Sequence, residues 1–245
     1  MNIIYKNNFW GNFGESDTTL KMLTTRWNKK FIFADINNND TLDIFNSTSW
    51  NNDYLFLGTE NGFVNKSKIN FPIQEKTETN DALLSDFDND GDLDIFTVGR
   101  NDFIRIYLNN GKGYFSDVTS KFFDDKFIRN SNIRASYNLN LGDFNNDGFI
   151  DLFVTIYQVD TNYTTTFLSK HAEFFVETPI DLESKENPVK ISTISDFDDD
   201  GDLDIYGSTK NHNIFWINSL NQNNSIKINL MGIASSTNAL GTKVW

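Results

Sequence analysis

The residues best able to do chemistry form one acidic stretch, Asp86–Asp94, which reads Asp-Phe-Asp-Asn-Asp-Gly-Asp-Leu-Asp. Carboxylates occupy positions 1, 3, 5, 7 and 9 of this stretch, and glycine occupies position 6. A hard cation such as Ca²⁺ takes six to eight oxygen ligands in a flexible arrangement. Side chains at positions 1, 3, 5 and 9, with the backbone carbonyl at position 7, supply most of them, and Gly91 permits the sharp turn between them. The stretch predicts a calcium-binding loop; the alternative is a solvated acidic turn.

Three more stretches repeat this pattern. They begin at Asp35, Asp143 and Asp196, so the four copies are separated by 51, 57 and 53 residues. Four copies at a nearly constant period argue against chance acidity and predict a repeat architecture. The candidate metal-binding positions 1, 3, 5, 7 and 9 of the four loops are Asp35, Asn37, Asn39, Thr41, Asp43, Asp86, Asp88, Asp90, Asp92, Asp94, Asp143, Asn145, Asp147, Phe149, Asp151, Asp196, Asp198, Asp200, Asp202 and Asp204.

The four loops are expected to differ in calcium affinity, because ligand charge and site rigidity tune it. The fourth loop carries six carboxylates and the second carries five, whereas the first has asparagine at positions 3 and 5 and Asp40 where glycine is expected. We therefore expect up to four Ca²⁺ ions, with the first loop binding weakest or not at all.

Other cation sites fit the loops less well. Mg²⁺ demands a tighter octahedron and usually retains water, so Ca²⁺ is preferred. An EF-hand needs a glutamate at position 12 and flanking helices, but position 12 is Thr97 in the second loop and Gly207 in the fourth, and strand-like sequence follows both.

The composition excludes several classes of partner and site. The formal net charge is −13, and the loops hold 3, 5, 3 and 6 acidic residues, half of the 34 in the chain. The negative electrostatic potential of such a chain repels nucleic acid and anionic membrane surfaces, so we expect neither as a partner. The chain has no cysteine, which excludes disulfides and Cys-based zinc or redox sites. No apolar run approaches the roughly 20 residues that span a bilayer, so membrane insertion is not expected.

The segments around the loops predict an all-β chain. A short apolar segment precedes each loop, and a β-branched and aromatic run follows it, as in Leu93–Val98. Alternating segments such as Ile104–Leu108 come next, bounded by Asn, Gly and Lys turns, which is the strand signature. Four strands in about 54 residues are typical of β-propeller blades. We predict a partial propeller of four to five blades, divided as 1–30 (end of a preceding blade), 31–80, 81–135, 136–190 and 191–224 (one loop each), and 225–245 (a different segment).

Phenylalanines recur at matching positions around the loops. Stacked blades need bulky side chains between their sheets, so we predict that these rings form the core; a platform that stacks a ligand is the alternative. The recurring residues are Phe33, Phe45, Phe87, Phe96, Phe144, Phe153 and Phe197.

No catalytic constellation is recognisable, so an enzyme is not expected. The two histidines, His171 and His212, lie in turn-like sequence outside any known motif. Calcium spacing explains the aspartates better than a pair of glycosidase carboxylates does. A polysaccharide-degrading enzyme is the open alternative, and it would need a basic residue near a groove, for which the candidates are Arg100, Arg105, Arg129 and Arg134.

The loops resemble those of the FG-GAP/VCBS repeat family, which also occurs in integrin α-subunits. The Asp-Phe-x-x-Asp-Gly-x-Leu/Ile-Asp pattern carries the resemblance over roughly residues 1–220, and the missing Phe-Gly…Gly-Ala-Pro signature favours the VCBS-type variant. The resemblance implies a propeller whose loops each join the first two strands of a blade and bind one Ca²⁺. It also implies an extracellular, periplasmic or cell-surface module that binds a protein or glycan, although a purely structural spacer is possible.

The ends of the chain suggest a part of something larger. Residues 3–13 match residues 105–115, so the chain is expected to open in the middle of a repeat. Residues 228–244 resemble the start of an ASPIC/UnbV domain, which often follows VCBS repeats in exported bacterial proteins, with Ser236 where that family usually has asparagine.

Overall fold

The structure is a computed structural model that describes residues 5–7, 12–15, 27–49, 52–72, 78–100, 104–124, 133–158, 162–178, 188–219 and 228, and every structural statement below concerns these residues. They form an all-β chain of seventeen strands with two single-turn helices, α1 (Ser67–Asn70) and α2 (Thr119–Phe122). The predicted fold class is confirmed. None of these helices is long and apolar enough to cross a membrane.

The strands form four successive blades. The first blade contains β3 (Asn28–Ala34), β4 (Asp43–Thr48), β5 (Tyr54–Thr59) and β6 (Gly62–Asn65). The second contains β7 (Glu78–Ser85), β8 (Asp94–Arg100), β9 (Ile104–Asn109) and β10 (Phe115–Asp117). The third contains β11 (Ile133–Gly142), β12 (Asp151–Gln158), β13 (Asn162–Lys170) and β14 (Phe174–Thr178), and the fourth contains β15 (Ile191–Ser195), β16 (Asp204–Ser208) and β17 (Asn213–Trp216). Before them, β1 (Tyr5–Asn7) pairs with β2 (Phe13–Glu15).

Each blade is an antiparallel meander, because consecutive strands pair in sequence order. The second and third blades share one sheet through a single pairing, Ala135 with Arg100. The acidic loops join the first and second strands of each blade, and position 9 of every loop is the first residue of the second strand. Strands β3, β7 and β11 begin at Asn28, Glu78 and Ile133, about three residues before the boundaries predicted for their blades.

The core lies between neighbouring blades. The second strands of the first three blades are the most buried: all six residues of β4 are buried, and so are the first six residues of β8 and of β12. Position 2 of the first three loops packs towards the following blade. Ile36 lies in a cluster with Ile95 and Tyr107 of the second blade, and Phe87 lies in a cluster with Leu152 and Phe167 of the third.

The recurring phenylalanines are mostly core, as predicted: Phe45, Phe87, Phe96, Phe144 and Phe153 are buried. The prediction is wrong for Phe33 and Phe197, which are 51% and 47% exposed. The blade packing explains both. The residue that matches Phe33 in the second blade, Leu84, packs on the preceding blade, and position 2 packs on the following one. No described blade precedes the first or follows the fourth.

Candidate metal centre

The loop backbone takes the sharp turn that the sequence predicts. Position 6 has a positive φ in all four loops, 90° at Gly91, 88° at Gly148 and 94° at Gly201. Residues with a β-carbon rarely adopt these angles, so glycine is favoured there. In the first loop Asp40 takes a φ of 61°, and this left-handed conformation carries a strain that the other loops avoid.

The carboxylate at position 1 organises each loop internally. In the second loop, Asp86 accepts hydrogen bonds from the backbone N–H groups of Asp90 and Gly91, each at 3.0 Å. Asp35, Asp143 and Asp196 accept the same two bonds in their loops. Backbone donors therefore hold this side chain in place, with its oxygens inside the turn.

The carboxylate at position 9 is buried in every loop and joins three segments of its blade. In the second loop, Oδ2 of Asp94 accepts the backbone N–H of Phe87 at 2.9 Å, and Oδ1 accepts that of Asn109 at 2.8 Å. Asp43, Asp151 and Asp204 make the equivalent bonds. The loop, the second strand and the end of the third strand are thus fixed around one aspartate.

Three carboxylates converge in two of the four loops. In the second loop, one oxygen from each of Asp86, Asp88 and Asp94 lies within 4.8 Å of the other two. Asp196, Asp198 and Asp204 form the same arrangement in the fourth loop. These are positions 1, 3 and 9 of the prediction, and they offer only oxygen ligands, which suits a hard cation.

The remaining predicted positions take other roles in the structure. Position 5 accepts the backbone N–H of position 7 in all four loops, as Asp90 does from Asp92 at 2.9 Å. The first and third loops have Asn37 and Asn145 at position 3 and show no cluster of three acidic side chains among the described residues. The two loops with convergent carboxylates are those that the sequence ranks highest for calcium.

Burial and mutual repulsion make the ionised carboxylates unfavourable in the absence of a cation. Burial raises the pKa of Asp94 and of Asp151 to about 7. The hydrogen bonds from the backbone lower these pKa values, but burial has the larger effect. Desolvation, then the charges of Asp90 and Asp86, raise the pKa of Asp88. A bound divalent cation would favour the ionised form of these groups.

Asparagines at position 4 connect the first three loops to the next blade, a role that the sequence analysis did not predict. Asn38 donates from Nδ2 to Oδ1 of Asp92 at 2.7 Å, and Asn146 makes the same bond to Asp202 at 2.6 Å. Asn89 donates to the carbonyl of Gly148 at 3.1 Å. The signal was present, because asparagine occupies position 4 in the first three loops.

A second set of asparagines, at or just after the end of the third strand of a blade, forms hydrogen bonds to the neighbouring blade. Asn109 donates from Nδ2 to the carbonyls of Ile36, at 2.7 Å, and Leu93, at 3.1 Å. Ile36 belongs to the preceding blade, so this buried side chain bridges two blades. Asn218 repeats the geometry towards Phe144 and Leu203.

The residues considered for catalysis lie apart from the loops' convergent carboxylates. The ring of His171 packs edge-to-face on Phe149, with 5.2 Å between centroids, and His212 is exposed. Arg105 pairs with Asp117 at 2.7 Å. Arg129 lies outside the described residues, and only the backbone of Arg134 is described.

Comparison with known proteins agrees with the repeat pattern and the fold. Residues 86–154, which contain the second and third loops, match the FG-GAP-like repeat. A solved lectin from Agrocybe aegerita, described as recognising non-reducing terminal N-acetylglucosamine, is similar in fold, with a TM-score of 0.57 and 18% identity over 90% of this chain. The chain spans 58% of that lectin. No curated protein matches the sequence, and the predicted ASPIC/UnbV-like segment lies outside the described residues except for Ile228.

Proposed function

We propose that this chain is a calcium-binding β-propeller module of a larger bacterial protein, acting outside the cell as an interaction domain for a protein or glycan partner. The observation that carries the calcium assignment is the convergence of three carboxylate oxygens within 4.8 Å, in the second loop and again in the fourth. Asp86, Asp88 and Asp94 would hold the ion in the second loop.

Bound calcium would act as a structural link rather than as a reactant. The position 9 carboxylate already joins the loop to the second and third strands through backbone hydrogen bonds. A divalent cation would offset the repulsion between the clustered carboxylates, which otherwise disfavours the folded loop. Two such loops would make the stability of the blades depend on calcium. Extracellular calcium is abundant enough to fill sites of modest affinity, which supports a location outside the cell.

A binding role is favoured over a catalytic one by the state of the aspartates. The carboxylates at positions 1 and 9 accept backbone hydrogen bonds on both oxygens in all four loops, as Asp86 and Asp94 do in the second. These bonds fix the direction of each side chain, and each oxygen retains a second lone-pair site that can face a cation. These side chains are therefore better suited to hold a loop and a cation.

The test is thermal unfolding in calcium, in magnesium and in chelator, for the wild type and for a double variant, Asp88→Asn with Asp198→Asn. Calcium at ~100 times its dissociation constant should stabilise each independent site by about 2.7 kcal/mol, and the double variant should lose most of this gain. The matched control is Glu60→Gln with Glu173→Gln, which removes two exposed carboxylates from turns outside the loops. Equal melting temperatures for the wild type in all three buffers would contradict the proposal.

A further inference from the structure

A cleft of about 520 Å³ opens among the second, third and fourth blades, lined by Arg100, Ala135, Tyr137, Tyr157 and Lys190. Arg100 ends β8, Ala135 and Tyr137 lie at the start of β11, and Lys190 precedes β15. The loop carboxylate Asp94 lies at the other end of β8. Seven residues of strand separate the two ends by about 20 Å, so the cleft and the acidic loops occupy opposite ends of the blades.

The cleft has two cationic side chains in a strongly acidic protein. The chain carries a net charge of −13, yet the charged side chains that line this cavity within the described part of the chain, Arg100 and Lys190, are both cationic. Glu78 lies 3.6 Å from Nη1 of Arg100, longer than a tight ion pair. A guanidinium carries five N–H groups in a planar fork, so a neighbour such as Glu78 can orient it while it binds a second carboxylate.

Two tyrosines form an aromatic wall beside these cations. The rings of Tyr137 and Tyr157 pack edge-to-face, with 5.2 Å between centroids. Tyr137 is 39% exposed, a large aromatic surface for a residue held within a sheet. A tyrosine phenol is neutral at pH 7 and can donate a hydrogen bond, and burial, then the neighbouring Tyr137, raise the pKa of Tyr157 further.

We propose that this cleft binds a sugar ring that bears a carboxylate, such as a uronic acid unit of a glycan. An aromatic face accommodates the apolar C–H face of a sugar while the phenol oxygens bond to its hydroxyls. Arg100 and Lys190 would bind the carboxylate through charge-assisted hydrogen bonds. The assignment rests on both features of the cleft together. The tyrosines suit a sugar ring, and the two cationic side chains favour a ring that carries a negative charge.

This inference adds a ligand site that is distinct from the calcium loops of the proposed function. It requires folded blades but no particular occupancy of the loops, so the binding experiments are done on the full chain in calcium. A failure of calcium binding would appear in the melts described above, whereas a failure of this inference would appear only in sugar binding.

The experiment titrates the protein with galacturonate and glucuronate oligosaccharides by calorimetry, beside neutral oligosaccharides and a short poly-glutamate peptide. We expect the uronates to bind at least about tenfold more tightly than the neutral sugars and to weaken with salt, because exposed charges are screened. Lys190→Gln should weaken uronate binding about fivefold, the effect of losing one partly exposed ion pair. Tyr137→Leu, which removes the ring but retains an apolar side chain, should weaken it by a similar factor.

Lys112→Gln and Tyr114→Leu are matched controls, since both residues are exposed and lie in the β9–β10 hairpin at the acidic end of the blades. They should bind uronates as the wild type does, and unchanged melting temperatures would show that each variant is folded. Equal binding of neutral and acidic sugars, unchanged binding by both cleft variants, or tighter binding of poly-glutamate than of uronates would each overturn the assignment. An absence of uronate binding would overturn it as well.

Discussion

The bridge made by Asn109 gives the sharpest prediction about how the blades hold together. Its Nδ2 donates to the carbonyls of Ile36 and Leu93, and its Oδ1 accepts the N–H groups of Asn110, at 2.9 Å, and Gly113, at 3.1 Å. The side chain is 6% exposed. Replacing it with alanine removes all four hydrogen bonds at a site with little access to water.

The expected loss follows from the partners left behind. Asn110 keeps a second acceptor, the carbonyl of Tyr114 at 3.2 Å, so three backbone groups lose a partner: the two carbonyls and the N–H of Gly113. At about 0.5–1.5 kcal/mol for each lost bond, Asn109→Ala should reduce the free energy of unfolding by roughly 2–4 kcal/mol. For a chain of this size, that corresponds to a melting temperature lower by roughly 5–15 °C.

Two comparisons separate the bridge from a general effect of mutation. Asn109→Asp keeps the acceptor but loses both donors and places a carboxylate beside the buried Asp94, so it should destabilise at least as much as alanine. Asn218→Ala breaks the same two contacts at a more exposed position and should cost about half as much.

The assay is urea unfolding followed by tryptophan fluorescence at saturating calcium, with Asn61→Ala in an exposed turn as the control. A loss below about 1 kcal/mol for Asn109→Ala, or an Asn109→Asp variant as stable as the wild type, would refute the reasoning.

Three further outcomes are expected. In metal-depleted buffer, the free energy of unfolding should fall as pH rises from about 4 to 7. The pKa of Asp94 and of Asp151 is raised from 3.8 to about 7 in the folded state, which therefore binds more protons than the unfolded state in this range. Thermal melts at a series of pH values should show this fall, and an equally steep fall in saturating calcium would contradict it. Gly91→Ala forces a β-carbon into a φ of 90° and should destabilise the calcium-bound protein by about 1–2 kcal/mol, measured by the same urea assay; an unchanged midpoint would argue against the turn. Asn38→Ala removes an exposed bond to Asp92 and should cost no more than about 0.5 kcal/mol; a loss comparable to that of Asn109→Ala would give the position 4 contacts a larger role.

The sequence by itself determined the repeat, the strand content and the loop positions. A glycine at position 6 suits the positive φ of a sharp turn between alternating aspartates, so a local pattern was sufficient to locate the loops. The expected ranking of the loops for calcium also rests on local chemistry, because Asn37 and Asn39 replace carboxylates at positions 3 and 5 of the first loop and Asp40 stands where glycine is expected. Among the described residues, three acidic side chains converge in the second and fourth loops, which carry an aspartate at position 3.

The tertiary structure decided which residues face a neighbouring blade. Phe197 stands at position 2 of its loop like the buried Phe87 and Phe144, yet it is 47% exposed because no described blade packs against it. In the sequence, Asn109 looks like an ordinary turn residue. In the folded chain its side-chain amide lies 2.7 Å from the carbonyl oxygen of Ile36, which is 73 residues away. The cleft of Arg100, Tyr137 and Lys190 arises in the same way. Its members come from three blades, and stacking the blades is what brings a strand end, a strand start and a connecting segment together.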